Sequence, residues 1–350
     1  MKSAKNLRPV RSTRRRWGHR LARWAGLLSY DLFPTRLRPM STSALPARRA
    51  PDSFAILLMI GLCAIWGLQQ VAIKSTNVAL PPVFQAGLRS AIAAVLVWGW
   101  ARSRGTPLFR DDGTLGAGLL AGVLFASEFV CIFLGLTLTS ASRMAVFLYT
   151  APCFTALGLH WFVDGERMRR IQWLGIFVAF AGMALAFADG FLHGRAAQSP
   201  VLTGVAGDAL GVLAGIAWAA TTVVVRATRL AHSSASKTLF YQLTVSAAVL
   251  LALALALGQA RVETVTPLAM VSLAYQAVVV AFVSYLVWFW LLTRYIASRL
   301  SVFSFLTPLF GVTFGVLLLG ESFSLRFLMA AVLVLTGIAL VNAPAKRVTV

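Results

Sequence analysis

Residues 142–158 read SRMAVFLYTAPCFTALG, and residues 298–315 read SRLSVFSFLTPLFGVTFG. A serine-arginine pair opens each stretch and a proline follows ten residues later, at Pro152 and Pro308. Moving outward with one residue of gap, Gly165-Glu166 pairs with Gly320-Glu321, and AGMALAF at 181–187 pairs with TGIALVN at 336–342. Near the front of each half, Trp66 and Trp218 are each followed eight residues later by a cation, Lys74 and Arg226. A shift of about 155 residues therefore lays the second half over the first. Apolar composition alone does not put proline, glycine, glutamate and cations at matching intervals.

The repeat is set in a chain of 350 residues that is 59% hydrophobic and 12% charged, with a mean hydropathy of +0.79. A soluble domain carries about 25% charged residues, so an ordinary soluble fold is excluded. A membrane helix needs roughly 20 apolar residues. Hydropathy predicts helices near 54–73, 83–101, 114–137, 142–163 and 171–188, then near 204–225, 238–258, 269–292, 301–319 and 325–342. The expected fold is an all-α integral membrane protein of ten transmembrane helices, five per half. Because five is odd, the second half enters the membrane from the opposite side, giving two inverted five-helix repeats. The expected units are 53–190 and 203–343, preceded by a basic extension at 1–52 and followed by a short tail at 344–350.

A formal charge of +21 invites a nucleic-acid reading, but its distribution argues otherwise. Thirteen of the 32 basic residues precede residue 50. With a cytoplasmic amino end, thirteen more fall in inward-facing loops and only Lys74, Arg143, Arg195, Arg261 and Arg326 face outward, leaving Arg89 inside a span. Both termini are therefore expected in the cytoplasm. The predicted partners are the lipid bilayer and a small-molecule substrate, with no nucleic acid. Within the extension, Trp17, Leu21, Trp24 and Leu28 form one stripe of an amphipathic segment at 14–30. The alternative is that Met40 is the true start. Arginine outnumbers lysine 27 to 5, which points to a GC-rich and hence bacterial genome, and so to the inner membrane.

Enzyme chemistry finds no foothold. The sequence has no HExxH metal helix, no GxSxG elbow and no GxxxxGK[ST] phosphate loop. Gly207-Asp208 lacks the second mid-span aspartate that an intramembrane protease would need to share a proton. Cys63, Cys131 and Cys153 lie inside apolar runs, so neither a disulfide framework nor a zinc site is expected, and no cofactor is implied.

Polar groups at membrane depth are costly and mark pathways. Glu128 lies near the middle of the third predicted helix and Arg89 about three residues from the middle of the second. Glu128 reads as a proton site or cation anchor. Arg89 reads as a partner for Glu128, in a buried pair, or for a substrate carboxylate. Gln70 and Lys74 share a face of the first helix and would line an outer vestibule, although a terminal lysine commonly snorkels to the interface. Trp66 and Trp218 are candidates for an aromatic wall, or for packing. Pro152 and Pro308, near the midpoints of their helices, would free carbonyls around Leu148 and Ser304 and bend the chain. Tyr149 and Phe305 precede these prolines by three residues, which makes Tyr149 a candidate pocket donor. Ser284 and Tyr285 align with Glu128 and Phe129 across the repeat and are the matching polar points of helix eight. His160 reads as a proton relay or as a satisfied helix-end histidine. Glycines at 207, 211 and 215, at 311 and 315, and at 118 and 122 permit close helix approach, within the chain or across a homodimer face.

IWGLQQVAIK at 65–74, the arginine of FQAGLRSAIAA at 84–94, and the two long stretches at 148–185 and 305–340 resemble the EamA family of the drug/metabolite transporter superfamily. The resemblance spans about residues 54–343. Departures are VDGE against LLGE, and IAWAATTVVVR in the sixth helix where a fuller IWG signature is expected. The resemblance implies a ten-helix secondary transporter, commonly an exporter of amino acids or related small metabolites, working by alternating access about a midplane cavity. The rival functions are a lipid or lipid-linked sugar translocator of the same fold, and a non-transporting membrane subunit.

Overall fold

The structure is a computed structural model, and it describes residues 51–162, 168–196, 201–262, 264, 266–295, 303–304, 306–322 and 324–341. Outside the described residues lie the amino-terminal extension with Met40, the Gly165-Glu166 and Ser298-Arg299 anchors, Phe305 and the carboxy-terminal tail.

The elements are α1 (Ser53–Thr76), α2 (Pro82–Ser103), α3 (Leu115–Leu138), α4 (Ala141–Leu148), α5 (Ala151–Phe162), α6 (Arg170–Ala196) and α7 (Val201–Ala227), followed by α8 (Ala235–Ala256) and α9 (Pro267–Ala274). After α9 the chain continues as a π-helix, Tyr275–Ser284, and then as α10 (Tyr285–Arg294), α11 (Leu306–Leu319) and α12 (Leu325–Val341). No β-strand forms among the described residues. Seven helices are long and apolar enough to cross a membrane, with α4 and α5 counted as one and α9 joined to the π segment and the start of α10. Three shorter apolar helices, Arg170–Ala186, Leu306–Leu319 and Leu325–Val341, accompany them. Apolar side chains such as Leu57, Val95, Leu255 and Leu317 point outward, as a protein embedded in lipid requires.

Local chemistry sets the ends. Asp52 caps α1 by accepting from the Ala55 amide at 2.9 Å, and Ser234 caps α8 by accepting from Lys237 at 3.2 Å. Pro82 and Pro267 sit in the first turns of α2 and α9, where a missing amide proton costs no hydrogen bond. Pro152 cannot donate to the Leu148 carbonyl, and the helix accordingly breaks at Tyr149-Thr150, where the Thr150 hydroxyl donates to the Phe147 carbonyl at 2.6 Å. Pro308 is the third residue of the described part of its helix, α11.

Packing pairs elements from the two halves: α6 with α12, α2 with α8, α3 with α7 and α8, α1 with α11, α5 with α7, and α1 and α2 with the α9–π segment. Several contacts bring backbones together. A Cβ on Gly67 would lie 2.8 Å from the Gly311 nitrogen, and one on Gly175 would lie 2.6 Å from the Gly337 oxygen. Glycine is needed at both places because the opposing atom is backbone and cannot rotate away. The stripe Gly207, Gly211 and Gly215 is used in the same way inside the chain, against Thr139, Phe147 and Leu148.

Candidate functional site

The polar residues singled out from the sequence converge on the inner faces of α1, α2, α3, α4 and the π–α10 segment. Glu128 is residue 14 of the 24 in α3, hence roughly 2 Å beyond its midpoint, and Arg89 is residue 8 of 22 in antiparallel α2, roughly 5 Å from its midpoint toward the same end. Both are buried, Arg89 completely. Of the two partners read for Arg89, Glu128 acts on it only through charge, and none of the three guanidinium nitrogens makes a well-aligned hydrogen bond, the Tyr285 hydroxyl being the polar group nearest to one. The reason is the aromatic ladder on α3. Phe125, Phe129 and Phe133 recur every four residues, and the Phe129 ring lies 3.8 Å from Arg89 Cζ, with Phe133 at 5.9 Å. The guanidinium is thus held against a ring face by its quadrupole rather than by a carboxylate. Tyr285 and Glu128 remain within electrostatic range of it. Tyr285 packs edge-on to Phe125, 6.5 Å between centroids, which ties α10 to the same ladder.

The two tryptophans separate into different aromatic pairs. Trp66 donates its indole N–H to Ser284 Oγ at 2.8 Å and stands edge-on to Trp288 at 5.9 Å. Ser284 in turn donates to the Val280 carbonyl, inside the π-helix, at 2.6 Å. Trp218 meets Tyr149 edge-on at 5.4 Å, just where α4 gives way to α5. Gln70 is buried and its Oε1 has no partner, while the buried Thr307 hydroxyl beside Pro308 lies within hydrogen-bonding range of Tyr149 and Cys63. Thr307 and the Phe125–Phe133 ladder were not among the sequence candidates. The four-residue spacing of the phenylalanines around Glu128 was the available signal.

At one end of the bundle, polar contacts seal the helices together. Lys74 does not snorkel: its Nζ donates to Glu321 Oε1 at 3.1 Å and to the Thr139 carbonyl at 3.2 Å. Glu321 also accepts from the amides of Ala141 at 2.7 Å and Ser142 at 3.0 Å and from the Ser142 hydroxyl at 2.7 Å. A carboxylate thereby occupies the amino terminus of α4, where the helix dipole favours it. Burial pushes the Glu321 carboxyl up, but the Ser142 and Ala141 donors and Lys74 outweigh this and hold it below the ordinary carboxylate range. Next to it, Arg143 reaches into the bundle and binds Asp208 with Nε at 3.0 and 3.1 Å and also with Nη2, while Thr139 donates to Asp208 at 2.7 Å. From the sequence Glu321 is a repeat anchor and Arg143 a repeat anchor and an outward loop charge, and neither was a site candidate. At the opposite end, Lys237 on α8 donates to Asp112 Oδ2 at 2.8 Å and to the Arg110 carbonyl at 2.7 Å. The Lys237 and Thr114 hydrogen bonds hold the Asp112 carboxyl down at about 2. His160 Nδ1 accepts from the Met168 amide at 3.1 Å, an end-capping role. Among the described residues no group of three or more His, Cys, Asp or Glu side chains could hold a metal ion.

This architecture has known counterparts. The chain matches the EamA-like transporter family twice, over residues 53–188 and 205–343. It is 27% identical to an "Uncharacterized transporter" of Archaeoglobus fulgidus over 82% of this chain and 96% of that one. It is also 27% identical to a "Probable amino-acid metabolite efflux pump" of Salmonella typhimurium, covering 82% of this chain and 93% of the relative. One solved protein crystal structure superposes with a TM-score of 0.58 over 83% of this chain and 96% of that chain, at 19% identity, which speaks to fold alone.

Proposed function

We propose, because the chain belongs to the EamA-like transporter family and is a membrane transporter, that it is a secondary transporter exporting amino acids or related small metabolites. Ten helices would carry the cycle as two inverted repeats, 53–190 and 203–343, in a bacterial inner membrane with both termini in the cytoplasm. The packing supports this pattern: α1 with α11 has its counterpart, halves exchanged, in α5 with α7, and α3 with α7 has its counterpart in α1 with the α9–π segment. Exchanging the conformations of two such halves converts a cavity open to one side into one open to the other.

The observation that carries the reading is Glu128, a carboxylate buried near the middle of α3 with no hydrogen bond or ion pair among the described residues. Such a group is expensive to keep in a bilayer, and a structural role would supply it with a partner. In the proposal Glu128 holds a proton or the cationic end of a substrate. Arg89, Tyr285 and Tyr149 face the same region, Trp66, Ser284 and Trp218 form its aromatic and hydroxyl border, and Gln70 adds an unsatisfied acceptor. The Lys74–Glu321 contacts close one mouth, and the break beside Pro152, together with a bend at Pro308, absorbs the change in helix direction. In a transport cycle that mouth must open, so the Glu321 contacts must break and re-form.

The test is counterflow in proteoliposomes with labelled amino acids and cationic drugs, comparing the native chain with Glu128→Gln at two pH gradients. Flux that is lost, or that no longer responds to pH, is the expected result. Unchanged flux and unchanged pH response in Glu128→Gln would reduce Glu128 to packing.

A further inference from the structure

Arg89 stands out among the cations of the described residues. Its side chain is 0% exposed, yet Nε, Nη1 and Nη2 are all without a hydrogen-bond partner. Phe129, 3.8 Å from Cζ, covers one face of the guanidinium. A ring stacked on that face leaves the N–H edges in the guanidinium plane unused, and those edges are the ones that grip a carboxylate in bidentate fashion. The Tyr285 hydroxyl comes within hydrogen-bonding range of the guanidinium and Glu128 acts on it through charge alone, yet neither meets Nε, Nη1 or Nη2 with the alignment of a full hydrogen bond. Gln70 Oε1, on α1, is a buried acceptor that is also unsatisfied. Tyr149 lies within hydrogen-bonding range of Thr307 and within electrostatic range of Tyr285 and Glu128, which links these groups into one region. Buried polar groups are retained unsatisfied at functional sites, where a ligand completes them.

Resting on the transport reading above, we infer that Arg89 is a carboxylate-binding subsite and that the substrates are small monocarboxylates, amino acids among them. The carboxylate takes the in-plane N–H edges of Arg89 while Phe129 keeps the guanidinium from turning. Where the substrate is an amino acid, its ammonium faces Glu128. Cations that lack a carboxylate are then poor substrates.

The experiment uses the purified full chain in detergent, with acid and amide pairs of matched shape: sodium butyrate and butyramide, L-leucine and L-leucinamide, sodium benzoate and benzamide. Sodium chloride and sodium phosphate at equal ionic strength are the inorganic controls. Thermal unfolding followed by tryptophan fluorescence is expected to show stabilisation by at least one acid and not by its amide. Arg89→Gln is expected to weaken binding of that acid by about tenfold or more, and Arg89→Lys to restore part of it. Should Arg89→Gln not fold, the native chain decides. A ligand carrying 13C in its carboxylate must show a shifted antisymmetric stretch on binding, and Phe129→Leu must alter that shift. Equal responses to acid and amide, including none to either, overturn the inference. So does full reproduction of the effect by chloride or phosphate, or native acid binding in Arg89→Gln. Acids that bind without any flux would sink the transport reading and leave the subsite standing. Flux confined to amides or amines would do the reverse.

Discussion

Replacing Glu321 by glutamine isolates what one carboxylate contributes to closing the bundle. The native group accepts four hydrogen bonds, from the Ala141 and Ser142 amides, the Ser142 hydroxyl and Lys74 Nζ. Glutamine keeps one acceptor oxygen and presents an NH2 where the other stood. The NH2 must then face either the Ala141 amide on one side or the Ser142 donors on the other. Leaving a buried donor unmatched costs about 1–3 kcal/mol. Losing the attraction to Lys74 adds about 1 kcal/mol at most, because the Lys74 side chain is 33% exposed and solvent screens it. The expected loss is about 1–4 kcal/mol in total. A reversible unfolding titration with sodium dodecyl sulfate, followed by far-UV circular dichroism, measures it. Lys74→Met should cost clearly less than Glu321→Gln, because the amides at the start of α4 keep their acceptor. Equal losses for the two variants, or a loss in Glu321→Gln under about 1 kcal/mol, would show that the carboxylate serves Lys74 or solvent and not the helix terminus.

Three other outcomes follow from the packing and the charges. Asp208→Ala strips the carboxylate from Arg143, which keeps its bond to the Ala186 carbonyl, and since the Asp208 side chain is fully buried, a loss of about 3–5 kcal/mol in the same titration is expected. Gly337→Leu places a side chain against the α6 backbone at Gly175 and Ala179, so monodisperse protein on size-exclusion chromatography should be lost, whereas Gly61→Leu, with open space around its Cβ position, should be tolerated. Asp112 has a folded-state value near 2, lowered from 3.8. Its contribution is therefore complete above about pH 4 and disappears as pH falls through about 2, and acid titration of Asp112→Asn should lack that component of the native profile.

Much of this protein is written along the chain. Helix positions follow from apolar runs bounded by prolines, caps and charges, and these are local properties. The predicted span near 114–137 corresponds to Leu115–Leu138, and that near 83–101 to Pro82–Ser103. Duplication is equally readable, since the repeated proline, glycine and glutamate positions survive as spacing. What spacing cannot express is which distant side chains meet. Arg89 and Glu128 share a depth, which made an ion pair reasonable, but the rotation of α3 about its axis turns Phe129 toward the guanidinium. Lys74 was expected to seek the membrane surface because nothing in its neighbourhood of the sequence offers a carboxylate. Its acceptor is Glu321, 247 residues away, and only the close approach of α1 to α11 at Gly67 and Gly311 brings the two together. The Arg143–Asp208 pair, 65 residues apart, has the same origin. Hydropathy and periodicity thus determine roughly where apolar helices form. Helix rotation and backbone approach are set by the simultaneous packing of many side chains, and they decide which buried charges are paired and which are not.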